Sequence, residues 1–342
     1  MVSTLQIDGK YKVKDIANHS KIHENTNGSN KCYDKEKLLE VEKLTVSFVQ
    51  YEAGLRQQEI KVIHDLNLTV DSGEIMVVVG ASGSGKSLLA HAILDILPQN
   101  ARVSGAIRYL GEELTPKRQA LLRGHEIALI PQSVNYLDPL MRVGDQVRSR
   151  IRKKNSREIQ RKIFERYHLR QEHERLFPFQ LSGGMARRVL VSTAVVGGPK
   201  LIIADEPTPG LHPQVVEETL KHLRELADEG CGIMMITHDI DTALKIADKI
   251  AVFYAGTTIE IAPVGDFTGE GSLLRHPYTK ALWRALPQNE FIPIPGFQPA
   301  PRDLPRGCVF EPRCQVKTEA CSLRAPEMRG LRDGKVRCYH AT

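Results

Sequence analysis

The sequence predicts an α/β fold built around a buried parallel sheet. An uninterrupted apolar strand at residues 75–79 leads into a glycine-rich turn and then into an amphipathic helix at residues 86–97. Further apolar strands follow at residues 201–204, 233–237 and 250–254, with helical segments between them. This alternation is typical of parallel sheets, whose strands are covered by helices on both faces.

The segments outside this core predict additional parts. Residues 1–37 are polar and show no sustained hydrophobic period, which predicts a flexible N-terminal arm. From residue 38 onward, apolar and polar residues alternate as they do in half-buried antiparallel strands. Between about residues 139 and 195 the apolar residues recur at helical spacing among many charged ones. We therefore expect one domain at residues 38–285, with an antiparallel β subdomain and a helical subdomain.

The composition changes beyond residue 285. Six prolines lie between residues 287 and 305, and four of the six cysteines follow them. Prolines favour extended segments over helices or central strands. We expect residues 286–342 to form a proline-rich linker and a small cysteine-rich C-terminal appendage.

Composition also excludes several classes of protein. The chain has 342 residues, of which 41% are hydrophobic and 26% are charged, a balance typical of globular proteins. No apolar stretch approaches the roughly 20 residues of a membrane-spanning helix, and the N-terminus lacks the hydrophobic segment of an export signal. We therefore expect a cytosolic protein. The net charge of +6 and the basic helical segment permit a nucleic-acid partner, but such charge runs are usually solvated helix faces, and we expect none.

Residues 80–87 match the phosphate-binding pattern GxxxxGK[ST] in the expected context, after a buried strand and before a helix. The residues of this loop are Gly80, Ala81, Ser82, Gly83, Ser84, Gly85, Lys86 and Ser87. Glycines let backbone N–H groups surround the phosphates, and the helix N-terminus adds a favourable dipole. We expect Lys86 to reach the β- and γ-phosphates of ATP and Ser87 to bind Mg²⁺.

Two carboxylates follow the apolar strand at residues 201–204. Asp205 is placed to hold Mg²⁺, and Glu206 is placed to orient the attacking water as a general base. An acidic strand end is weak evidence by itself, and it gains weight here from the phosphate loop upstream.

A second anion-binding segment precedes the helix that begins near residue 186. Ser182, Gly183 and Gly184 offer a hydroxyl and free N–H groups at that helix N-terminus. Gln132 and His238 each follow an apolar strand elsewhere in the chain. The order of these motifs resembles the nucleotide-binding subunits of ATP-binding cassette (ABC) transporters, and the resemblance covers about residues 38–262.

The resemblance implies a P-loop NTPase of ABC type with a RecA-like core. It implies a head-to-tail dimer in which each ATP lies between the phosphate loop of one subunit and the Ser-Gly-Gly segment of the other. It implies that Gln132 senses Mg²⁺ and the γ-phosphate, and that His238 holds the γ-phosphate beside Glu206. It also implies an aromatic side chain stacked on adenine, for which Phe48 and Tyr51 are the candidates.

One position departs from the family pattern. His212 stands where relatives usually have an aspartate that contacts the opposite subunit. The exchange puts the usual hydrogen bonding across the dimer in doubt. It is consistent with an asymmetric pair of ATP sites, or with a change that the partner compensates.

The C-terminal part narrows the choice within the family. The run from His276 to Leu282 and the run from Gly307 to Cys314 resemble the C-terminal extension of the oligopeptide, dipeptide and nickel importer ATPases. The resemblance implies three kinds of partner: a homologous second ATPase subunit, two permease chains and, indirectly, an extracellular substrate-binding protein. It also implies a peripheral location on the cytoplasmic face of the membrane. Peptides are the preferred substrate and a nickel or metal chelate is the alternative. A soluble ATPase acting on nucleic acid and a non-catalytic adaptor fit the motifs less well.

The four clustered cysteines predict a metal site. Cys308, Cys314, Cys321 and Cys338 supply the four thiolates that a [4Fe–4S] cluster or a tetrahedral zinc ion needs. Their spacing lacks the close pairs typical of zinc sites, and relatives with this extension carry an iron–sulfur cluster. We therefore favour the cluster over zinc, with unligated thiols or disulfides as the third alternative, and we expect the cluster to have a structural role.

Overall fold

The computed structural model describes residues 36–51, 57–81 and 83–342. The predicted N-terminal arm therefore lies almost wholly outside the described residues, as does Ser82 of the phosphate loop. The strands are β1 (Lys37–Tyr51), β2 (Gln57–Asp71), β3 (Ile75–Gly80), β4 (Ala101–Tyr109), β5 (Glu112–Glu113), β6 (Ile127–Ile130), β7 (Leu201–Asp205), β8 (Gly232–Thr237), β9 (Lys249–Tyr254), β10 (Thr257–Pro263), β11 (Arg329–Leu331) and β12 (Gly334–Val336). The helices are α1 (Lys86–Ile93), α2 (Pro116–Leu122), α3 (Val143–Arg148), α4 (Ser156–Arg166), α5 (Gly183–Val195), α6 (Pro213–Asp228), α7 (Ile240–Ile246), α8 (Pro277–Arg284) and α9 (Glu319–Leu323).

The central sheet has the parallel core that the sequence predicts. Its strand order is β11-β12-β10-β9-β3-β8-β7-β6, and β9, β3, β8, β7 and β6 run parallel. Parallel strands place their carboxyl ends at one edge of the sheet, where ligands of such folds bind. The loops after β3, β7 and β8 therefore meet at a common edge.

Strand β3 is apolar along its whole length because both of its faces are buried. Ile75, Val77 and Val79 pack into a cluster with α6 and α7, whereas Met76 and Val78 pack into a second cluster with α1 and the antiparallel strands. Alternate side chains point to opposite faces of a strand, and both faces are covered here. Each fully buried aliphatic side chain contributes about 1.5–3 kcal/mol.

The antiparallel subdomain forms a separate sheet of order β2-β1-β4-β5. Strands β1 and β2 pair through Val41 with Leu68 and through Phe48 with Ile60. Their inward residues, among them Leu39, join the cluster beneath α1. The alternating pattern from residue 38 arises because only one face of this sheet is buried.

The helical region has its own apolar cluster. Val143, Val147, Phe164, Val189 and Leu190, from α3, α4 and α5, pack together there. In the described residues, no helix is long and apolar enough to cross a bilayer.

One boundary differs from the predicted helix at residues 86–97. Helix α1 ends at Ile93, and Asp95 adopts a left-handed conformation with a φ of 52°. A left-handed residue cannot continue a right-handed helix. Pro98 then follows, so the apolar residues beyond Ile93 belong to the turn.

The cysteine-rich segment is not the separate appendage that the sequence predicts. Strand β12 pairs with β10 through Val336 with Glu260 and through Lys335 with Ile261, so the segment extends the central sheet. Cys308 and Phe310 are buried in the same cluster as α6 and α7. The segment therefore shares the core of the main domain, and a three-residue strand is too short to show a period in the sequence.

Residue Arg275 anchors this C-terminal part to β10. Its backbone N–H and that of His276 donate to the Glu260 carboxylate at 2.8 and 2.7 Å, and its guanidinium donates to Asp266 at 2.6 Å. Glu260 and Arg275 are buried, with 0% and 2% exposure. His276 then caps α8 by accepting from the N–H of Tyr278.

Candidate active site

The phosphate loop follows β3 directly, as the sequence predicts. A Cβ on Gly80 would lie 2.5 Å from the carbonyl oxygen of Phe253 on β9, so only glycine fits the close approach of the two strands. Gly85 has a φ of 98° before the first residue of α1, a conformation that L side chains rarely adopt. These two glycines let the chain turn from strand to helix.

Lys86 lies within this loop. Its Nζ donates to the carbonyl oxygens of Gly80 and Ala81, each at 2.8 Å. Burial lowers its pKa, while the negative charges of Glu206 and Asp205 raise it. Ser84 has a buried hydroxyl without a hydrogen-bond partner in the described residues. An ammonium group and an unpartnered hydroxyl in one loop fit a phosphate ligand.

Ser87 and Asp205 meet across the loop. The Ser87 hydroxyl donates to the Asp205 carboxylate at 3.1 Å. Burial raises the pKa of Asp205, and the hydrogen bond from Ser87 opposes that rise. A hydroxyl and a carboxylate are the oxygen ligands that Mg²⁺ prefers, so these residues fit that ion.

Glu206 and His238 meet at the ends of β7 and β8. The His238 Nδ1 lies 2.9 Å from both carboxylate oxygens of Glu206. Glu206 has a φ of 47°, and its N–H donates to the carbonyl of Ile236 at 2.9 Å. A left-handed conformation at a non-glycine residue costs on the order of 1 kcal/mol or more and is concentrated at functional sites. The carboxylate side chain is 10% exposed and the imidazole is 57% exposed.

Arg187 is a residue of this site that the sequence analysis missed. It is 4% exposed and lies on the buried face of α5. Its guanidinium donates to four carbonyls, those of Pro131, Gln132, Glu206 and Pro207, at 2.6 to 3.0 Å. It therefore joins α5 to the loops that carry Gln132 and Glu206. The sequence does contain a sign of this role. Arg187 lies four positions before Val191, so the helical period places a charged residue on the apolar, buried face of α5.

Within the described residues, neither Gln132 nor the Ser-Gly-Gly segment is hydrogen-bonded to the phosphate loop. The side chain of Gln132 is exposed, and only its backbone carbonyl is held, by Arg187. Ser182 caps α5 by accepting from the N–H of Met185, and a Cβ on Gly183 or Gly184 would meet no described atom within 4 Å apart from its chain neighbours and its own helix backbone. In the part of the chain that the structure describes, no hydrogen bond joins this segment to the phosphate loop.

The two candidate aromatic residues have different surroundings. Phe48 is partly buried against the cluster beneath α1, whereas Tyr51 is 67% exposed at the end of β1. The Tyr51 hydroxyl accepts from the side chain of Gln57. Only Tyr51 therefore presents most of its ring to solvent.

His212 precedes α6 as its N-cap residue and is exposed. Its side chain makes no capping hydrogen bond with the first turn of that helix. The imidazole is therefore accessible to another molecule.

The four C-terminal cysteines lie around one small cavity. Cys308, Cys321 and Cys338 are buried, Cys314 is partly buried, and all four are free thiols. Burial raises the pKa of Cys308 to about 11. Among the described residues, no group of three or more His, Cys, Asp or Glu side chains is arranged to hold a metal ion. The four thiols are thus of the ligand type that iron and zinc bind, but in this arrangement they do not surround a common point as the ligands of a bound metal would.

The comparisons with known families match two parts of the chain. The ABC transporter family matches residues 63–209. The family described as the C-terminal region of oligopeptide/dipeptide transporters matches residues 259–321. The first match contains the phosphate loop and Glu206, and the second contains α8 and three of the four cysteines.

Full-length relatives extend these matches. The chain is 35% identical over 321 residues to the oligopeptide transport ATP-binding protein OppD of Salmonella typhimurium, which covers 88% of this chain and 93% of that protein. It is 34% identical over 323 residues to the dipeptide transport ATP-binding protein DppD of Escherichia coli, which covers 89% of this chain and 96% of that protein.

Solved structures show the same fold. A dimeric ATP-binding cassette in a post-hydrolysis state with ADP and phosphate superposes with a TM-score of 0.58 at 23% identity, covering 66% of this chain and 99% of that one. An ATP-binding subunit of an ABC transporter superposes with a TM-score of 0.56 at 26% identity, covering 67% and 91%. The fold and the site thus define an ABC-type ATPase. The chain belongs to the ATP-binding subunits of the oligopeptide/dipeptide family of ABC transporters.

Proposed function

We propose that this ATPase energises the import of oligopeptides or dipeptides. The observation that carries the proposal is the Glu206–His238 contact beside the phosphate loop, in a chain whose residues 259–321 match the oligopeptide/dipeptide transporter family. The relatives OppD and DppD are named for oligopeptide and dipeptide transport. ATP hydrolysis supplies the free energy, and the substrate is bound by other chains.

The loop residues would bind the phosphates of ATP, with Ser82 among them. Lys86 would neutralise the β- and γ-phosphates, because its ammonium already lies within the loop. Mg²⁺ would be held by Ser87, Asp205 and Gln132, and it would neutralise charge on the phosphates. Glu206 would orient the attacking water as general base, and His238 would hold the γ-phosphate and steady that carboxylate.

The Ser-Gly-Gly segment would complete the ATP site of a second subunit. Ser182, Gly183 and Gly184 lie exposed or half-exposed at the N-terminus of α5, where N–H groups and the helix dipole favour an anion. We propose a head-to-tail pair with a homologous but different ATPase chain, in which the exposed His212 faces that partner. Tyr51 is the better candidate for stacking on adenine, because its ring is exposed.

Permease chains would bind in a groove between the parallel core and the helical region. The groove is about 470 Å³ in volume and lies beside Gln132, with lining residues that include Pro131, Tyr136, Met141 and Leu190. Tyr136 and Met141 are 60% and 39% exposed, which is typical of side chains that a partner covers. We propose that two permease chains lie above the pair of ATPase subunits and that this groove contacts one of them, which gives a peripheral location on the cytoplasmic face of the membrane.

The four cysteines would hold a [4Fe–4S] cluster, with zinc as the alternative. Four thiols around one cavity supply the ligands that either group uses. Iron, acid-labile sulfide and zinc measured on anaerobically purified protein test this directly. A brown protein with about four iron and four sulfide per chain supports the cluster. One zinc per chain supports the alternative, and protein without metal contradicts both.

Reconstitution tests the transport function. The complete complex is assembled in vesicles with its extracellular binding protein, and ATP hydrolysis is measured with a peptide mixture and with nickel chelates. We expect peptides to stimulate hydrolysis. Stimulation by nickel chelates alone would identify the metal-chelate branch instead, and an active complex whose only ATPase chain is this one would contradict the heterologous pair.

A further inference from the structure

A second large cavity lies in the C-terminal part of the chain. It has a volume of about 620 Å³ and is lined by α8 and by residues between 292 and 316, together with His340. This volume is within the range of about 300–1,000 Å³ that is usual for small-molecule sites. None of the residues assigned above to ATP or Mg²⁺ lines it. We name it the basic pocket.

The charges that line the basic pocket are all positive. Lys280, Arg284, Arg275 and Arg313 are among the lining residues, and among the described residues no acidic residue lines the pocket. Two of these cations are neutralised: Arg275 pairs with Glu260 and Asp266, and Arg284 pairs with Glu290 at 3.3 Å. The other two, Lys280 and Arg313, therefore determine which ligand charge the pocket favours.

Lys280 and Arg313 have no carboxylate partner in the described residues. The side chain of Lys280 makes no hydrogen bond or ion pair there, and the residue is only partly exposed. Arg313 donates to the carbonyls of Ile294 and Pro295 and to the hydroxyl of Tyr254. These are neutral acceptors, so the positive charge stays uncompensated. A fixed guanidinium and an ammonium that belong to the lining of one pocket favour an anion.

Apolar groups make up much of the remaining lining. Ile292 and Val316 are 54% exposed each, and Phe310 is buried at the base. The Arg313 guanidinium lies 5.9 Å from the rings of Tyr254 and Phe310, which hold it in place. A ligand that fits this lining therefore has an apolar body as well as a negative charge.

We propose that the basic pocket binds a low-molecular-mass carboxylate that carries an apolar body, with the carboxylate at Lys280 and Arg313. This chemistry occurs in two kinds of molecule, medium-chain fatty acids and short apolar peptides with a free C-terminus. The site is independent of ATP hydrolysis, so failure of either proposal leaves the other standing.

Calorimetric titration of the full chain, purified anaerobically so that any metal is retained, tests the proposal. The probes are decanoate and trileucine, each compared with its uncharged counterpart, decanamide or trileucine amide. We expect at least one acid to bind and its amide to bind at least tenfold more weakly. The acid that binds identifies the source. Binding of neither acid, or equal binding of an acid and its amide, overturns the proposal.

Variants place the ligand in the pocket. Lys280→Met should weaken binding of the acid at least tenfold, whereas Lys280→Arg, which keeps the charge, should retain most of it. Lys221→Met is the matched control, because Lys221 is an exposed lysine on α6 outside the pocket. Unfolding midpoints show whether each variant is folded. Unchanged binding by Lys280→Met, or equal loss with Lys221→Met, contradicts the assignment.

Discussion

The Nδ1 atom of His238 lies at the same distance, 2.9 Å, from each carboxylate oxygen of Glu206. The imidazole thus fixes the carboxylate from one side, and the two residues directly follow β7 and β8, which are adjacent parallel strands. The two residues are therefore positioned by the ends of neighbouring strands at the centre of the sheet. This placement allows the contribution of Glu206 to be tested without disturbing the fold.

Glu206→Gln should leave ATP binding intact and lower ATP hydrolysis by at least about 100-fold, because the amide keeps the shape but cannot accept a proton from water. ATPase rate and nucleotide affinity are measured in the assembled complex. The variant should also accumulate as a closed, ATP-bound pair. Hydrolysis at the wild-type rate would remove Glu206 from the role of base.

Arg187→Lys should lower the ATPase rate by about tenfold or more while changing the affinity for ATP much less. A single ammonium cannot replace a guanidinium that donates to four carbonyls, so the loops bearing Gln132 and Glu206 lose their common anchor. Arg188→Lys is the matched control, since within the described residues the Arg188 guanidinium donates only to the carbonyl of His168, at 3.3 Å. Equal effects of the two substitutions on the ATPase rate would refute this role.

Glu260→Gln should lower the free energy of unfolding by about 3–5 kcal/mol, because it leaves the buried Arg275 without one of its charge partners and replaces one of the two acceptor oxygens with an NH2 donor. Urea unfolding monitored by circular dichroism measures the change. Glu158→Gln removes an exposed pair with Lys162 and should change the midpoint little. A small effect at Glu260 would show that Asp266 alone holds Arg275.

Glu74 should make stability depend on pH near neutrality. Burial raises its pKa to about 7, against the opposing hydrogen bond from Lys249. A raised pKa means that the stabilisation is complete below the ordinary pKa of the carboxyl group and is lost as pH rises through about 7. Relative to Glu74→Gln, the wild type should therefore lose up to about 3 kcal/mol of unfolding free energy between pH 4.5 and pH 8. A difference that is constant with pH would contradict this titration.

The sequence predicted the parts of the fold that repeat a pattern. Strand β3 and the phosphate loop are continuous in the chain, so a local motif identifies both. The four carbonyls that accept from Arg187 belong to two separate loops. The sequence of α5 alone therefore could not predict these hydrogen bonds. Strand β12 was missed for a related reason, since three residues carry no measurable period and its partner β10 is far away in the chain.

The pairing of β12 with β10 also has a consequence for biosynthesis. A ribosome makes β10 well before β12, so the edge of the nascent sheet remains open while residues 264–333 are synthesised. An open edge displays N–H and C=O groups that can pair with another chain. Once β12 has been made, it pairs with β10 and covers that edge. Arg275, which is paired with Glu260, can then also donate to the carbonyl of Leu331. Until β12 has been synthesised, the edge of β10 is therefore open to pairing with another chain.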